Sequence, residues 1–373
     1  MKKIVLNIGI GILNIIYFFI KFARTKDKIT YISRQYNEET LDFKMIKEEI
    51  AKKDKNIKQV VLTKRLDKGA LNAIKYVFHI FRQMYNVATS KVLIVDTYCI
   101  VASVLNHKKS LKIIQIWHAS AAIKKFGYQT IGKTSGTEKQ IADSMRMHKN
   151  YSYVISPSDI TTNYYSEAFN VDKNKIVKFG LPRLDYIKNL NKKQELYDIY
   201  PILKDKINIL YVPTFRKNKK IKINGLIEKL DTSKYNLIIK LHPLDRKNYS
   251  FKEREGIIFD DKFDSYEWLQ VTDKLITDYS SLAVEELVLD IPIYFYIYDI
   301  DEYIKDPGLN FNFETEKIGK YAVKTEEELL AKLEEDYDYE TLKDFKDRYI
   351  EVEPGKCTEK FGNFVMELMK NGK

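Results

Sequence analysis

Between Lys274 and Asp299 the sequence KLITDYSSLAVEELVLDIPIYFYIYD sets down a strand, a turn, a helix and a second strand in immediate succession. Lys274 to Thr277 reads as a short strand and Asp278-Tyr279-Ser280-Ser281 as a turn. Leu282, Leu287 and Leu289 carry helical apolar spacing, Pro292 ends the helix, and Ile293 to Ile297 is a continuous apolar strand. Strands without alternation, joined through helices, belong to a parallel sheet covered on both faces. Small hydroxyls stand where the helix begins, and a helix start offers free N–H groups and a positive dipole end. Ser280 and Ser281 could therefore seat a phosphate without a glycine-rich loop. Equally, Asp278 or Ser280 could do no more than cap the helix.

The same alternation fills the rest of the chain. Strands are predicted at 28–34, 57–63, 91–96, 112–117, 151–156 and 175–179, then at 208–212, 235–241 and 257–260. Helices fall at 41–52, 69–90, 159–169 and 356–370, the second with Leu71, Ile74, Phe78, Phe81 and Tyr85 on one face. The 373 residues are enough for two cores. The polar stretch from Tyr186 to Lys206 divides them, giving an amino-terminal segment at 1–26, a first domain at 27–190 and a second at 191–373. The last helix could return to the first domain.

Charge separates the halves. Residues 1–190 hold 33 Lys and Arg against 15 Asp and Glu, whereas residues 191–373 hold 30 against 37. A basic first half suits an anionic partner. Its cations are scattered rather than interleaved with aromatics, and no nucleic-acid module is present, so nucleic acid is not expected. Residues 4–20 are an uncharged run of 17, with Lys2 and Lys3 before it and Lys21, Arg24, Lys26 and Lys28 after it. That is short for a span and lacks a small-residue cleavage site. Asn7 and Asn14, one heptad apart, mark one face as polar. A helix lying in the plane of an anionic membrane surface is the favoured reading. Cys99 and Cys357 are far apart and show no metal spacing, as in a reduced cytosolic protein.

Reactive residues recur just beyond strands, where open α/β sheets bind ligands. His118 follows KIIQIW and precedes small residues that leave room for a substrate. Its ordinary pKa suits a general base, although capping of the next turn is an equal alternative. Arg183 lies in GLPRLD, aimed at phosphate or paired with Asp185. Pro213, Thr214, Arg216 and Lys217 follow one second-half strand, His242 another, and Asp278, Ser280 and Ser281 a third. Base, hydroxyl and cation without a carboxylate cage point to transfer of a phosphorylated or nucleotide-linked group. His79 reads as structural, His107 has no assigned role, and Arg146 and His148 are placed near the cleft.

The pieces QIWHASAAIKKFG, KFGLPRLD, YVPTFR, IIKLHP and TDYSSLAVEELVLDIPIYFYIYDIDEY, in this order, resemble the CDP-glycerol glycerophosphotransferase family of teichoic acid synthesis, and most of all its short priming members. The resemblance implies a GT-B architecture, α/β with two Rossmann-like domains facing across a cleft, on the cytoplasmic face of the cell membrane. It implies CDP-glycerol as donor in the second domain and an undecaprenyl-diphosphate-linked disaccharide as acceptor in the first. His118 would be the base. His242, Arg183 and Arg216 would steady the pyrophosphate, Thr214, Ser280 and Ser281 would donate to phosphate oxygens, and Glu285 would accept from ribose. Asp278 would orient the turn. No metal or cofactor is required. A polymerase, or an enzyme using CDP-ribitol, keeps the same chemistry and is the alternative.

Overall fold

The computed structural model describes residues 2–67, 69–216, 221–246, 249 and 254–371, so Lys217 lies outside the described residues. The chain forms two compact α/β units.

Unit 1 comprises residues 1–120, 125–185 and 351–373. It opens with α1 (Lys2–Ile20), followed by β1 (Lys28–Ser33), α2 (Leu41–Lys53), β2 (Lys58–Thr63), α3 (Ala70–Ala88) and β3 (Val92–Val95). Then come α4 (Ile100–Val104), β4 (Lys112–Gln115), α5 (Lys139–Ser144), β5 (Tyr153–Ser156), α6 (Asp159–Phe169), β6 (Ile176–Lys178) and α7 (Pro182–Asn189). The strands make one parallel sheet in the order β2-β1-β3-β4-β5-β6. Its strand order reverses between β1 and β3, the point where such sheets open a crevice beyond their carboxyl ends.

Unit 2 comprises residues 121–124 and 186–350. Its elements are α8 (Lys193–Ile199), β7 (Ile207–Tyr211), α9 (Asn224–Lys229), β8 (Tyr235–Ile239), α10 (Pro243–Arg246), β9 (Ile257–Phe259), α11 (Ser265–Leu269) and β10 (Lys274–Thr277). These are followed by α12 (Leu282–Glu285), β11 (Ile293–Tyr296), α13 (Ile300–Lys305), β12 (Ala322–Val323), α14 (Glu326–Glu334) and α15 (Tyr339–Tyr349). The parallel order is β12-β11-β10-β7-β8-β9, with the reversal between β7 and β10. The expected two-part parallel α/β architecture is therefore present.

The last helix, α16 (Cys357–Asn371), belongs to unit 1. Phe361 and Val365 enter one core with Phe43, Ile46 and Ile50 of α2 and with Ile29, Ile94 and Ile114 of the sheet. Asp185 caps α16, accepting from the backbone N–H groups of Gly355, Cys357 and Thr358. Two orphan donors of the helix start are thereby satisfied, together with the N–H of Gly355 just before it. The second unit accordingly ends at Ile350, short of the boundary at 373 read from the sequence.

Two helices of unit 1 differ from ordinary core helices. α1 docks along one face: Asn14 Nδ2 donates to Val104 O and Asn14 Oδ1 accepts from Asn106 N, at 3.0 and 2.9 Å. Tyr17, fully buried, meets His107 Nδ1 at 2.9 Å. Ile4, Val5, Ile8, Ile12, Ile15, Phe18 and Phe19 face outward. On α3 the predicted apolar face is also exposed, with Leu71 and Phe78 at 74% and 71%. The core side of that helix is instead Tyr76, Gln83, Met84 and Val87. Exposed apolar residues are ordinary when single, whereas a continuous face needs a partner.

Candidate active site

In unit 1 the chain leaves β4 through Trp117, whose φ of 59° is rare for a bulky residue. Such strain costs about 1–3 kcal/mol and persists only where the surroundings over-determine it. Here Gln115 Oε1 accepts from Trp117 N at 2.8 Å, and the indole stacks on Phe126 with centroids 4.5 Å apart. The left-handed turn sets His118 beyond the strand end, half-buried, with Nδ1 3.2 Å from Asp96 O. A carbonyl can only accept, so Nδ1 carries the proton and Nε2 has the basic lone pair. Asp96 follows β3, at the reversal of strand order. Burial pushes its carboxyl up to about 7.

Two further groups fasten this turn through its carbonyls. Arg183 Nη1 donates to His118 O at 3.0 Å, and Tyr165 OH donates to Ala119 O at 2.6 Å. Arg183 is itself fixed by Asp42, which accepts from its backbone N–H and from Nε, each at 3.0 Å, and from Nη2. Its partner is thus a residue 141 positions earlier, not Asp185, which caps α16. The geometry gives Arg183 a positioning contact to His118.

His148 is buried in an aromatic cluster with Trp117, Tyr98 and Phe169 and meets Tyr151 OH at 2.9 Å. Burial pushes its imidazole down to about 3, so it is a neutral core residue near neutral pH. Arg146 is exposed and donates to Asn106 Oδ1 at 3.0 Å.

In unit 2 the strand ends at the reversal between β7 and β10 converge on Asp278. This carboxylate is 1% exposed. It accepts from Thr214 N at 3.0 and 2.9 Å, from Thr214 Oγ1 at 2.7 Å, from Tyr279 N at 2.6 Å and from Arg216 Nη2 at 2.7 Å. Asp278 is thus an organiser of the Pro213-Thr214-Phe215-Arg216 turn. Arg216 is buried, also pairs with Asp299 at 2.9 Å, and lies among the rings of Tyr279, Tyr298 and Tyr303. Burial alone would push its guanidinium down, and Asp278 foremost more than reverses that, so the charge is secure. Asp245 of α10, which begins directly after His242, accepts from Arg216 N at 3.0 Å. His242 is exposed with its ring 4.6 Å from that of Phe215. Thr214, Arg216, Asp278 and His242 therefore form one neighbourhood within this unit.

The turn after β10 is less helical than expected. Only Leu282–Glu285 is α-helical, and a 3-10 turn covers Glu286–Leu289. Ser280 Oγ accepts from Leu282 N at 3.3 Å, which is the capping alternative. Ser281 is partly exposed, and its hydroxyl makes no hydrogen bond among the described residues. Glu285 is buried and accepts from Tyr266 OH at 2.7 Å, while the adjacent Glu286 lies wholly within the core. Sequence reading missed Asp42, Asp245 and Asp299, three carboxylates distant from the cations they fix. It also missed Lys124, which reaches Thr214 Oγ1 at 3.4 Å.

The model of the family described as CDP-glycerol:poly(glycerophosphate) glycerophosphotransferase matches residues 15–367. The chain is 30% identical over 362 residues to a teichoic acid ribitol-phosphate primase of Bacillus spizizenii, covering 93% of this chain and 92% of that protein. It is 33% identical over 298 residues to a teichoic acid glycerol-phosphate primase of Bacillus subtilis, covering 78% and 77%. Among solved structures, the wall teichoic acid polymerase TagF shares the fold with a TM-score of 0.75 at 21% identity, over 99% of this chain and 97% of that one.

Proposed function

The chain belongs to the CDP-glycerol:poly(glycerophosphate) glycerophosphotransferase family, and from that premise we propose that it transfers glycerol phosphate from CDP-glycerol to a hydroxyl of an undecaprenyl-diphosphate-linked disaccharide. The observation that carries this reading is the Asp278-centred turn at the strand reversal of unit 2, in a chain that matches the family almost throughout. The Ser281 hydroxyl, the His242 ring and the fixed charge of Arg216 suit a nucleoside diphosphate, and Thr214 holds the turn through its bonds to Asp278. In unit 1, His118 presents a basic Nε2.

The reaction forms one bond and breaks one. The acceptor oxygen attacks the phosphorus that carries glycerol, its proton passes to His118 Nε2, and the bridging P–O bond breaks to release CMP. The Asp96 carbonyl keeps Nδ1 protonated and steadies the imidazolium. Arg183, locked by Asp42, keeps the His118 backbone from shifting, and a displacement of 1 Å in such a group costs about a hundredfold in rate. The docked α1 and the exposed apolar face of α3 suit an enzyme lying in the membrane surface, with the basic flanks of α1 on anionic headgroups.

A second reading keeps the mechanism and exchanges glycerol for ribitol, because the ribitol-phosphate primase matches a larger share of this chain than the glycerol-phosphate primase does. Purified protein with a soluble acceptor analogue and either CDP-glycerol or CDP-ribitol decides between them through CMP release and product mass. One added glycerol phosphate is expected. A ladder of additions would make it a polymerase, and CMP from neither donor would overturn the proposal.

A further inference from the structure

The four residues Ala121–Lys124 interrupt unit 1 and belong to unit 2. Backbone bonds fasten them there. Asn310 Nδ2 donates to Ala122 O at 2.9 Å, Asn310 N to Ile123 O at 2.8 Å, and Lys124 bridges Leu309 in antiparallel fashion. Ala121, Ala122 and Ile123 are buried, so the backbone is fixed and the Lys124 side chain carries the segment's contact with Thr214.

That side chain ends at the Pro213-Thr214-Phe215-Arg216 turn. Its ammonium has three N–H donors, and among the described residues its one hydrogen-bond partner is Thr214 Oγ1 at 3.4 Å. The Thr214 hydroxyl gives its own proton to Asp278, so it meets Lys124 with a lone pair. Asp278, the opposite charge that acts on Lys124, is already engaged by Thr214, Arg216 and Tyr279. Burial pushes the Lys124 ammonium down to about 8, against the pull of Asp278 and with Arg216 adding to the fall. A desolvated cation with one long contact to a neutral hydroxyl is under-compensated, and removal from water without a counter-charge is costly. The arrangement becomes favourable once an anion completes it.

We propose that Lys124 is a substrate-binding residue that contacts the diphosphate of the cytidine-linked donor beside Thr214. This rests on the donor reading given above.

The test is calorimetric binding of CDP-glycerol, CDP-ribitol and cytidine to the full chain and to Lys124→Met, Lys124→Arg and Lys125→Met. Removing one charge-assisted phosphate contact should weaken whichever CDP-polyol binds by about ten- to a hundredfold. Cytidine affinity should not change, Lys124→Arg should keep most of the donor affinity, and Lys125→Met should bind as wild type does. Donor affinity of wild type should fall between pH 7 and 9.5, while that of Lys124→Arg stays level. Thermal unfolding of Lys124→Met should match or exceed wild type, because an under-compensated cation has been removed. Full donor affinity in Lys124→Met, or equal losses for donor and cytidine, would overturn this inference alone. A wild-type protein that binds neither CDP-polyol would overturn the donor reading beneath it.

Discussion

Replacing Asp278 with Asn tests the organisation of unit 2 at its centre. The substitution keeps shape and removes one charge. Asn Oδ1 can still accept from Thr214, but its amide would face Arg216 Nη2, now 2.7 Å from a carboxylate oxygen, with donor against donor. Among the described residues the Arg216 guanidinium would retain only Asp299 as a carboxylate partner. Breaking a buried pair by removing one partner costs about 3–5 kcal/mol, since the remaining charge stays desolvated. For a unit of this size each kcal/mol moves the midpoint by about 2–4 °C, so unit 2 should melt about 6–20 °C lower. Two units need not unfold together, so the assay is calorimetry with the two transitions resolved. Donor affinity should fall with the lost Thr214 geometry. A midpoint within about 2 °C of wild type would refute the claim that Asp278 secures Arg216.

Four substitutions or sets extend the account. Asp42→Asn should lower kcat about tenfold with donor KM unchanged, because Arg183 would no longer be locked against the His118 carbonyl; a rise in donor KM instead would assign Arg183 to the diphosphate. His148→Phe should flatten the loss of stability in acid. Its folded value of about 3 is depressed from 6.5, so the unfolded chain takes up the proton first, and the stability it confers is intact above 6.5 and lost as pH falls toward 3. Urea midpoints measured across that window give the slope. Changing Leu71, Ile74 and Phe78 together to Ser should reduce co-sedimentation with phosphatidylglycerol vesicles at least tenfold, while unfolding is unaltered because these side chains are exposed. Asp299→Asn should cost less stability than Asp278→Asn, because Asp278 also organises Thr214.

Much of this arrangement was legible because strands announce themselves through continuous apolar runs. The strand at 274–277 and the helix at 159–169 have the predicted bounds, and most other ends move by one or two residues. Strand ends also singled out His118, Thr214, Arg216 and Ser281 as candidates, whereas Arg183 and Ser280, likewise beyond strands, take structural partners. What stayed hidden is pairing across sequence distance. No local pattern links Arg183 to Asp42 or Asp185 to Thr358, because each partner is chosen by the fold. The nearer and more obvious carboxylate, Asp185, is instead claimed by the start of α16. The exposure of the apolar face of α3 stayed hidden for a different reason. Helical periodicity reports that one face avoids water and is silent on whether protein or lipid covers it. Lys124 was invisible because a lysine beside another lysine reads as a solvated pair until the backbone of Ala122 and Ile123 is seen fastened down.

The central claim is that His118 Nε2 removes the acceptor proton. The most direct measurement is His118→Ala, with transfer followed by CMP release and CDP-polyol binding followed by calorimetry on the same preparation. Transfer should fall by about two to four orders of magnitude while donor affinity stays within about threefold of wild type. Undiminished transfer, or loss of donor binding in step with transfer, would contradict the assignment of His118 as the base.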